Sequence, residues 1–367
     1  MTWNWQKTDW PHFTYDTQAL QQAEADFLLA AGVMVGAFVH LRPENKNQLT
    51  VELISTEALK TSEIEGELLD RDSVQSSVQR QLGLTPEGTT GRPQEQGIAE
   101  MLVDLYHSFD ALLSHETLFR WHRQLCAGRQ DIQTIGGYRT HQDPMQVVSG
   151  AVYAPKVHFE APPSSQVPDE MEQFLRWFND SSKLPALTRA GIAHLYFVSI
   201  HPFEDGNGRI ARALSEKSLA QSIGQPSRIT LARTIEKHRK DYYNALEQAN
   251  QDNEITDWLV YFAQTVLRAQ QDTLSYVEFI IEKTKLYDRV SKQLNERQAK
   301  VLERMFRAGM DGFQGGLSAD NYLKITGTSR ATATRDLHQL VEMGALYSMG
   351  HLKSTRYHLN IGKNRRY

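Results

Sequence analysis

His201 to Arg212 reads His-Pro-Phe-Glu-Asp-Gly-Asn-Gly-Arg-Ile-Ala-Arg, and this stretch decides the fold and the chemistry of the chain. Helical patterns lie on both sides of it. Its glycines permit a positive φ and let backbone N–H groups face a ligand. N–H groups at the start of a helix bind anions. Arg209 and Arg212 lie on one helical turn, so both guanidinium groups can reach the same phosphates.

Two further side chains of this stretch can carry chemistry. His201 has an ordinary pKa that suits it to take a proton from an attacking hydroxyl group. Asp205 supplies a hard oxygen ligand of the kind that suits magnesium bound to phosphates. A lone histidine, a lone Gly-x-Gly or a pair of arginines is usually structural. Their joint occurrence within one loop favours an active site that binds a nucleotide.

Composition limits the class of protein. The chain has 367 residues, 40% of them hydrophobic and 23% charged, which is typical of a soluble protein of two or three domains. The net charge of −4 argues against binding nucleic acid over the whole surface. Cys126 is the only cysteine, so an internal disulfide and a zinc cluster are excluded. We expect a cytoplasmic protein, because residues 1–7 do not resemble a signal peptide.

The periodicity predicts a mainly α fold. The longest apolar run, Phe27–Val39, is too short to span a bilayer, so we expect a buried helix there and no membrane partner. A β-hairpin is expected within 134–168. After about residue 290 the pattern predicts a helix, a helix-turn-helix and a two-stranded wing. The helices before that point are predicted at 18–41, 48–83 with a break, 96–113, 116–127, 169–179, 188–200, 209–223, 234–249 and 255–282.

The opening stretch resembles the Fic motif, His-x-Phe-x-Asp/Glu-Gly-Asn-Gly-Arg-x-x-Arg, and matches every specified position. The resemblance covers roughly residues 50–265. It implies that ATP is the substrate, with Mg²⁺ held by Asp205, His201 as general base and Phe203 as an anchor in the core. It also implies that the ATP phosphates are bound by Gly206, Asn207, Gly208, Arg209, Ile210, Ala211 and Arg212.

Gly208 distinguishes two branches of the family. The related kinase-like Doc branch carries lysine at this position, so glycine implies transfer of a nucleotidyl group. AMP would move from ATP to a serine, threonine or tyrosine hydroxyl of a protein, and pyrophosphate would leave. Removal of AMP and transfer of another group, such as UMP or phosphocholine, are alternatives. A nucleotide-sensing DNA-binding regulator is an alternative of a different class.

Residues 61–66 resemble the inhibitory motif of the same family, Ser/Thr-x-x-x-Glu-Gly/Asn. Thr61 and Glu65 are four residues apart and so share one helix face, and Gly66 follows. The resemblance implies that Glu65 pairs with Arg212, the arginine needed for the γ-phosphate of ATP. The competing interpretation is a solvated acidic face, because glutamates alternate at 63, 65 and 67.

Two more segments resemble parts of the Fic site. Residues 146–163 resemble a hairpin that docks the target segment by strand addition, with Lys156, Val157, His158 and Phe159 on the candidate edge. Residues 242–250 resemble the segment that lines the adenine. Tyr242 and Tyr243 could stack on the base and Asn250 could recognise its edge. The alternatives are an ordinary hairpin and tyrosines buried in the core.

The C-terminal helix-turn-helix could bind DNA or protein. Residues 329–337 resemble a recognition helix in which Arg330, Thr332 and Arg335 could meet DNA, whereas Asp336 and Glu342 dilute its positive charge. The same fold also serves interaction and dimerisation, and a homodimer is implied by the family resemblance. We expect four domains: an N-terminal helical region with the inhibitory helix at 1–95, a Fic core at 96–265, a helical connector at 266–292 and a winged-helix-like domain at 293–367.

Overall fold

The computed structural model describes residues 2–39, 41–85, 91–151, 154–308, 313 and 315–361. It is mostly helical with a small β-hairpin, which confirms the predicted fold class. The chain forms two compact units, residues 1–273 and 274–367. The four-domain division stays a prediction, and the structure places its first two parts together in the first unit.

The first unit contains eleven helices among the described residues, the last of which continues into residues of the second unit, and one hairpin. They are α1 Gln21–Val39, α2 Pro43–Ile64, α3 Arg71–Gln81, α4 Pro93–His107, α5 His115–Leu125, β1 Gln146–Ala151, β2 Ala154–Glu160, α6 Val167–Asp180, α7 Ala186–Ile200, α8 Asn207–Ile223, α9 Leu231–Lys237, α10 Arg239–Ala249 and α11 Thr256–Val290.

Helix α7 is the centre of this unit, because every residue from Ala186 to Ile200 is buried. A helix that is apolar on all sides must be covered on all sides, and α8 packs closely along it. Glu24 of α1 caps its first turn: the carboxylate accepts the N–H groups of Leu187 at 3.0 Å and Thr188 at 2.8 Å. The free N–H groups of a helix start are thereby satisfied by an acidic side chain.

Helix α1 corrects one step of the sequence argument. Counted from Gln18 to Val39, it is long and apolar enough by length and composition to cross a membrane, with a mean hydropathy of 1.4. The shorter run from Phe27 therefore understated its length. One side of the helix, which includes Phe27, is buried, and Glu24 caps α7, but only 22% of the apolar window is buried and Leu28, Leu29, Val33 and Val39 are exposed. The expectation of a buried helix over Phe27–Val39 is therefore only partly met. A core helix of a soluble protein passes the same length test, so the absence of a membrane partner stays a prediction.

Two helices end earlier than their patterns predicted. Helix α4 stops at His107, where the Ser108 hydroxyl and N–H both donate to the Asp104 carbonyl. The pattern over 234–249 is two helices, because His238 leaves helical geometry with φ −121° and separates α9 from α10. The Ser108 hydroxyl competes with backbone N–H groups for a helix carbonyl, which favours a helix end. The hydrophobic periodicity does not contain this information.

The second unit holds α12 Glu296–Phe306, α13 Ala319–Thr326, α14 Arg330–Glu342 and an antiparallel pair, β3 Leu346–Met349 and β4 Arg356–Leu359. Its identity as a winged helix stays a prediction. Asp336 is buried and accepts hydrogen bonds from the Tyr322 hydroxyl at 2.9 Å and from Arg297 at 2.8 Å. The expectation that Asp336 dilutes the charge of an exposed face is therefore wrong, because its carboxylate is neutralised inside the unit.

Gly97→Ala tests the packing of α4 against α5. A Cβ at residue 97 would lie 1.8 Å from the Gln124 carbonyl oxygen, a backbone atom that cannot rotate away. We expect a loss of about 2 kcal/mol or more of stability, measured as a lower midpoint of thermal unfolding by circular dichroism. Gly32→Ala in α1 is the control, since no atom lies within 4 Å of its Cβ. Equal midpoints for the two variants would contradict the close approach.

Candidate active site

The loop between α7 and α8 has a fixed shape. His201 ends α7 in the left-handed region, with φ 51° and ψ 59°, and its N–H still donates to the Phe197 carbonyl at 3.0 Å. The Asn207 side chain closes the loop in both directions. It accepts the Phe203 N–H at 3.0 Å and donates to the Phe203 carbonyl at 2.8 Å. Gly206, with φ 82°, then begins α8.

Phe203 anchors this loop in the core. Its side chain is fully buried and stacks on His122 with ring centroids 4.2 Å apart. His122 is itself fixed, because its Nδ1 accepts the Gly136 N–H at 2.9 Å. Burial lowers the pKa of His122 to about 4, so the ring is neutral at neutral pH. The anchoring role expected of Phe203 follows from this packing.

His201 is placed to act as a base. Its Nδ1 lies 3.2 Å from the Val198 carbonyl, and because a carbonyl only accepts, Nδ1 carries the ring proton and Nε2 is left to accept one. Desolvation lowers the pKa of His201 to about 4, so the ordinary histidine pKa expected from the sequence does not hold in the folded protein. Sequence reasoning missed Arg139, whose buried guanidinium donates to the His201 carbonyl at 2.8 Å. Arg139 thereby fixes the backbone that carries the base.

Glu65 meets Arg212 as the family resemblance implied. The Arg212 side chain is 1% exposed, and its Nη2 donates to Glu65 Oε1 at 2.7 Å and to the Thr61 carbonyl at 3.0 Å. Its Nε donates to Thr61 Oγ1 at 2.7 Å. Burial alone would lower the pKa of Arg212, but the Glu65 carboxylate outweighs it and the pKa is raised. Gly66, with φ 87°, turns the chain directly after Glu65.

Gly208 is required by this contact. A Cβ at residue 208 would lie 2.4 Å from Glu65 Oε1 and 3.2 Å from Arg212 Nη1. Any larger side chain would force Glu65 away from Arg212. Arg212 Nη1 is buried and makes no hydrogen bond within the described part of the chain. An unsatisfied guanidinium donor beside the start of α8 is suited to a phosphate oxygen.

The other charged groups of the motif also have protein partners. Arg209 is 3% exposed and donates to Glu67 Oε2 at 2.6 Å. Asp205 accepts the Gly206 N–H at 2.6 Å and pairs with Arg129 Nη1 at 2.8 Å. Neither Glu67 nor Arg129 was predicted. The alternating glutamates at 63, 65 and 67 were the sequence feature that could have indicated Glu67. Of these, only Glu65 matched the inhibitory motif.

One cavity of about 590 Å³ connects the predicted parts of the site, a volume that suits a small-molecule ligand. It is lined by His201, Asp205, Gly206, Asn207 and Gly208, by the hairpin and by α10. Glu65 lines it, whereas Arg209, Arg212, Ile210 and Ala211 are absent from its wall. Ile210 and Ala211 are buried in α8, and the Ile210 N–H already donates to the Gly206 carbonyl.

The adenine candidates differ in environment. Tyr242 is buried and its hydroxyl lies 2.8 Å from His194 Nε2, so its polar end is used in the core. Tyr243 is 36% exposed and lines the cavity, and its hydroxyl donates to the Ile64 carbonyl at 3.4 Å. Asn250 also lines the cavity, with its Oδ1 accepting from the Ser199 hydroxyl at 3.3 Å. The ring of Tyr243 is thus the more open of the two.

The predicted docking edge lies on β2, which pairs only with β1 among the described strands. Val157 opposes Val148 in the register. Phe159 is buried and packs edge-to-face on Trp3 at 5.4 Å, so its side chain fixes the strand instead of facing a target. Lys156 and His158 contact Glu247 of α10 at 2.9 and 2.7 Å. The tip at residues 152–153 lies outside the described residues.

The side chains at the site offer enough oxygen ligands for magnesium only if the phosphates of a nucleotide supply the others. Within the described residues no group of three or more histidine, cysteine, aspartate or glutamate side chains could hold a metal ion. Asp205 offers one carboxylate at the edge of the cavity. Magnesium is commonly held by one or two carboxylates plus the phosphates of its substrate, and the donors present match that pattern. The metal itself stays a prediction.

Comparison with known proteins gives two family matches. Residues 112–219 match the Fic/DOC family and residues 3–84 match a domain of unknown function, DUF4172. A protein adenylyltransferase of Caenorhabditis briggsae is 34% identical over 140 residues, which are 38% of this chain and 24% of that protein. A probable protein adenylyltransferase of Aquifex aeolicus is 29% identical over 115 residues, 31% of each chain. The chain thus spans about a quarter to a third of these relatives.

A solved structure shares the fold. The crystal structure of a Fic family protein from Desulfovibrio desulfuricans G20 superposes with a TM-score of 0.55 at 20% identity, covering 97% of this chain and 99% of the other. At that identity the similarity establishes the fold alone.

His201 should remain neutral where an ordinary histidine becomes protonated. Its pKa of about 4 lies below the usual 6.5, so the folded protein binds the proton later than the unfolded chain as pH falls. We expect no titration of its ring signals between about pH 7 and pH 5, measured by NMR with His201→Ala for assignment. Stability that depends on this neutral ring is lost as pH falls from about 6.5 to 4. A midpoint near 6.5 would contradict the desolvation of the His201 ring.

Proposed function

Because the chain carries a domain of the Fic/DOC family over residues 112–219, we propose that it transfers AMP from ATP to a serine, threonine or tyrosine hydroxyl of a protein. The proposal is supported by one observation above all: His201, Asp205 and the start of α8 line one cavity. A base, a carboxylate and an anion-binding helix start are the parts that this reaction needs.

The positions of these groups support the following proposed reaction. The hydroxyl oxygen of the target attacks the α-phosphorus of ATP, and the bond to the oxygen that bridges to the β-phosphate breaks. Pyrophosphate leaves with that oxygen. His201 Nε2 takes the hydroxyl proton, since Nδ1 is engaged with Val198. The Arg212 Nη1 donor and the start of α8 would hold phosphate oxygens in line for this displacement.

Asp205 is the residue that would hold magnesium. The ion, when bound, would offset the negative charge of the phosphates. Arg129 Nη1 lies 2.8 Å from Asp205 Oδ2, so magnesium would have to replace Arg129 as the partner of this carboxylate oxygen.

We further propose that the protein restrains itself through Glu65. The Glu65 carboxylate satisfies Arg212 from the side of the cavity, and Gly208 leaves just enough room for it. A phosphate that needs Arg212 has to compete with an acidic group already in hydrogen-bond contact. The restraint is within the chain, because α2 and α8 belong to the same unit.

Further properties of the protein stay predictions. They are the identity of the target protein, for which this chain itself is one candidate. They also include a homodimer, a cytoplasmic location and DNA binding by residues 293–367. Salt-dependent gel-shift binding is the measurement for the last of these.

Glu65→Gly should release the restraint. We expect incorporation of AMP into the protein to rise by roughly tenfold or more with ATP and magnesium, because Arg212 loses its competing carboxylate. Intact-protein mass spectrometry measures it as the addition of one adenylyl group. Glu63→Gly is the control: it makes the same change two residues away, where the carboxylate pairs with Lys60 instead. Equal labelling of wild type, Glu65→Gly and Glu63→Gly would refute the restraint.

His201→Ala, made in the Glu65→Gly background, should abolish labelling while ATP binding persists. Loss of a general base typically costs about 10²- to 10⁴-fold in rate. Labelling rates and ATP affinity, the latter by calorimetry, separate chemistry from binding. A labelling rate that stays within about twofold of the Glu65→Gly parent would remove His201 from the mechanism.

A further inference from the structure

We propose that Glu67 is a second inhibitory residue, which withholds Arg209 from the nucleotide as Glu65 withholds Arg212. This inference rests on the proposed nucleotide-transfer function and concerns the regulation of the same site. The pair joins Arg209 Nη1 to Glu67 Oε2 at 2.6 Å, as short as any charge-assisted hydrogen bond at the site.

Arg209 has little else to satisfy its charge. Its side chain is 3% exposed, and its Nε makes no hydrogen bond within the described residues. The Asp205 carboxylate lies 3.6 Å from its Nη2, which is beyond hydrogen-bond distance. A buried guanidinium requires a counter-charge, and Glu67 supplies the closest one. An incoming phosphate would therefore have to displace Glu67 to use Arg209.

One turn of the backbone positions both glutamates. The Glu65 and Glu67 N–H groups both donate to the Ser62 carbonyl at 3.0 Å, and Gly66 between them has φ 87°. This reversal directs Glu65 toward Arg212 and Glu67 toward Arg209. Arg209 precedes Arg212 by three residues on α8. Two carboxylates spaced by two residues thereby match two arginines on adjacent positions of one helix face. The turn holds them as a unit.

Arg129 extends the second restraint to the metal carboxylate. Its Nη1 lies 2.8 Å from Asp205 Oδ2 and 3.5 Å from Glu67 Oε1, while its other atoms pair with Asp131 at 2.6 and 2.7 Å. Arg129 thus stands between the two acids. Asp205, Arg209 and Arg212 of the motif are thus each engaged by a protein side chain outside the motif.

The test measures nucleotide binding, not labelling. ADP is titrated into the full-length chain by calorimetry in buffer containing EDTA, so that no metal contributes. Glu67→Gln should bind ADP about tenfold more tightly than wild type, because the charge that competes for Arg209 is gone. Glu63→Gln is the matched control, since it removes an equal charge from the same segment at a residue that pairs with Lys60. Its affinity should stay within about twofold of wild type.

A double-mutant cycle assigns the effect to the pair. In the Arg209→Lys background, the fold gain in ADP affinity from Glu67→Gln should be less than about a third of the gain measured with Arg209 present. The reason is that lysine lacks the guanidinium fork. A Glu67→Gln variant that binds ADP no more tightly than Glu63→Gln would overturn the inference. An equal gain in ADP affinity from Glu67→Gln with arginine and with lysine at residue 209 would also overturn the inference.

The outcomes separate this inference from the proposed function. If Glu67→Gln leaves ADP affinity unchanged while Glu65→Gly still raises labelling, only the second restraint is refuted. If no variant binds ADP and none is labelled by ATP, the proposed function falls and the inference falls with it.

Discussion

The burial of the Arg212 guanidinium is the constraint on which the site depends. A cation that is 1% exposed is costly unless acidic or carbonyl oxygens surround it. Thr61 supplies two of these oxygens and Glu65 a third. The same need for counter-charge supports the proposed role of Arg212 as a phosphate ligand. The proposed self-restraint and the proposed phosphate binding therefore draw on a single physical requirement, the counter-charge of Arg212.

The loop before α8, the helix that carries Arg212, is held by contacts within the protein. The Asn207 side chain ties both backbone groups of Phe203, and Phe203 is held by the stacked ring of His122. Arg139 fixes the carbonyl of His201 on the other side. The base and the start of α8 are thus set by packing within the core. Catalytic groups held this way lose little further freedom when the substrate binds.

The parts of the site that the sequence could predict are those encoded by neighbouring residues. The loop, the candidate base, the candidate metal carboxylate and both arginines fall within His201–Arg212, and Thr61 and Glu65 share a helix face by spacing alone. Arg129, Arg139 and Glu67 were missed because their contacts to this stretch span more than sixty residues and depend on tertiary packing. Helix periodicity likewise could not show that both tyrosines line the cavity but that Tyr242 is buried and tied to His194 while Tyr243 is 36% exposed.

The exposures of the two ion pairs indicate how release could proceed. Glu65 and Glu67 are each 28% exposed, whereas Arg212 and Arg209 are 1% and 3% exposed. Moving a partly exposed carboxylate into water recovers its hydration, but moving a buried guanidinium would leave a cavity and break its packing. The glutamates are therefore the mobile halves. Under the proposed mechanism the arginines stay in place, and release of the restraint needs a change at the end of α2 and no rearrangement of α8.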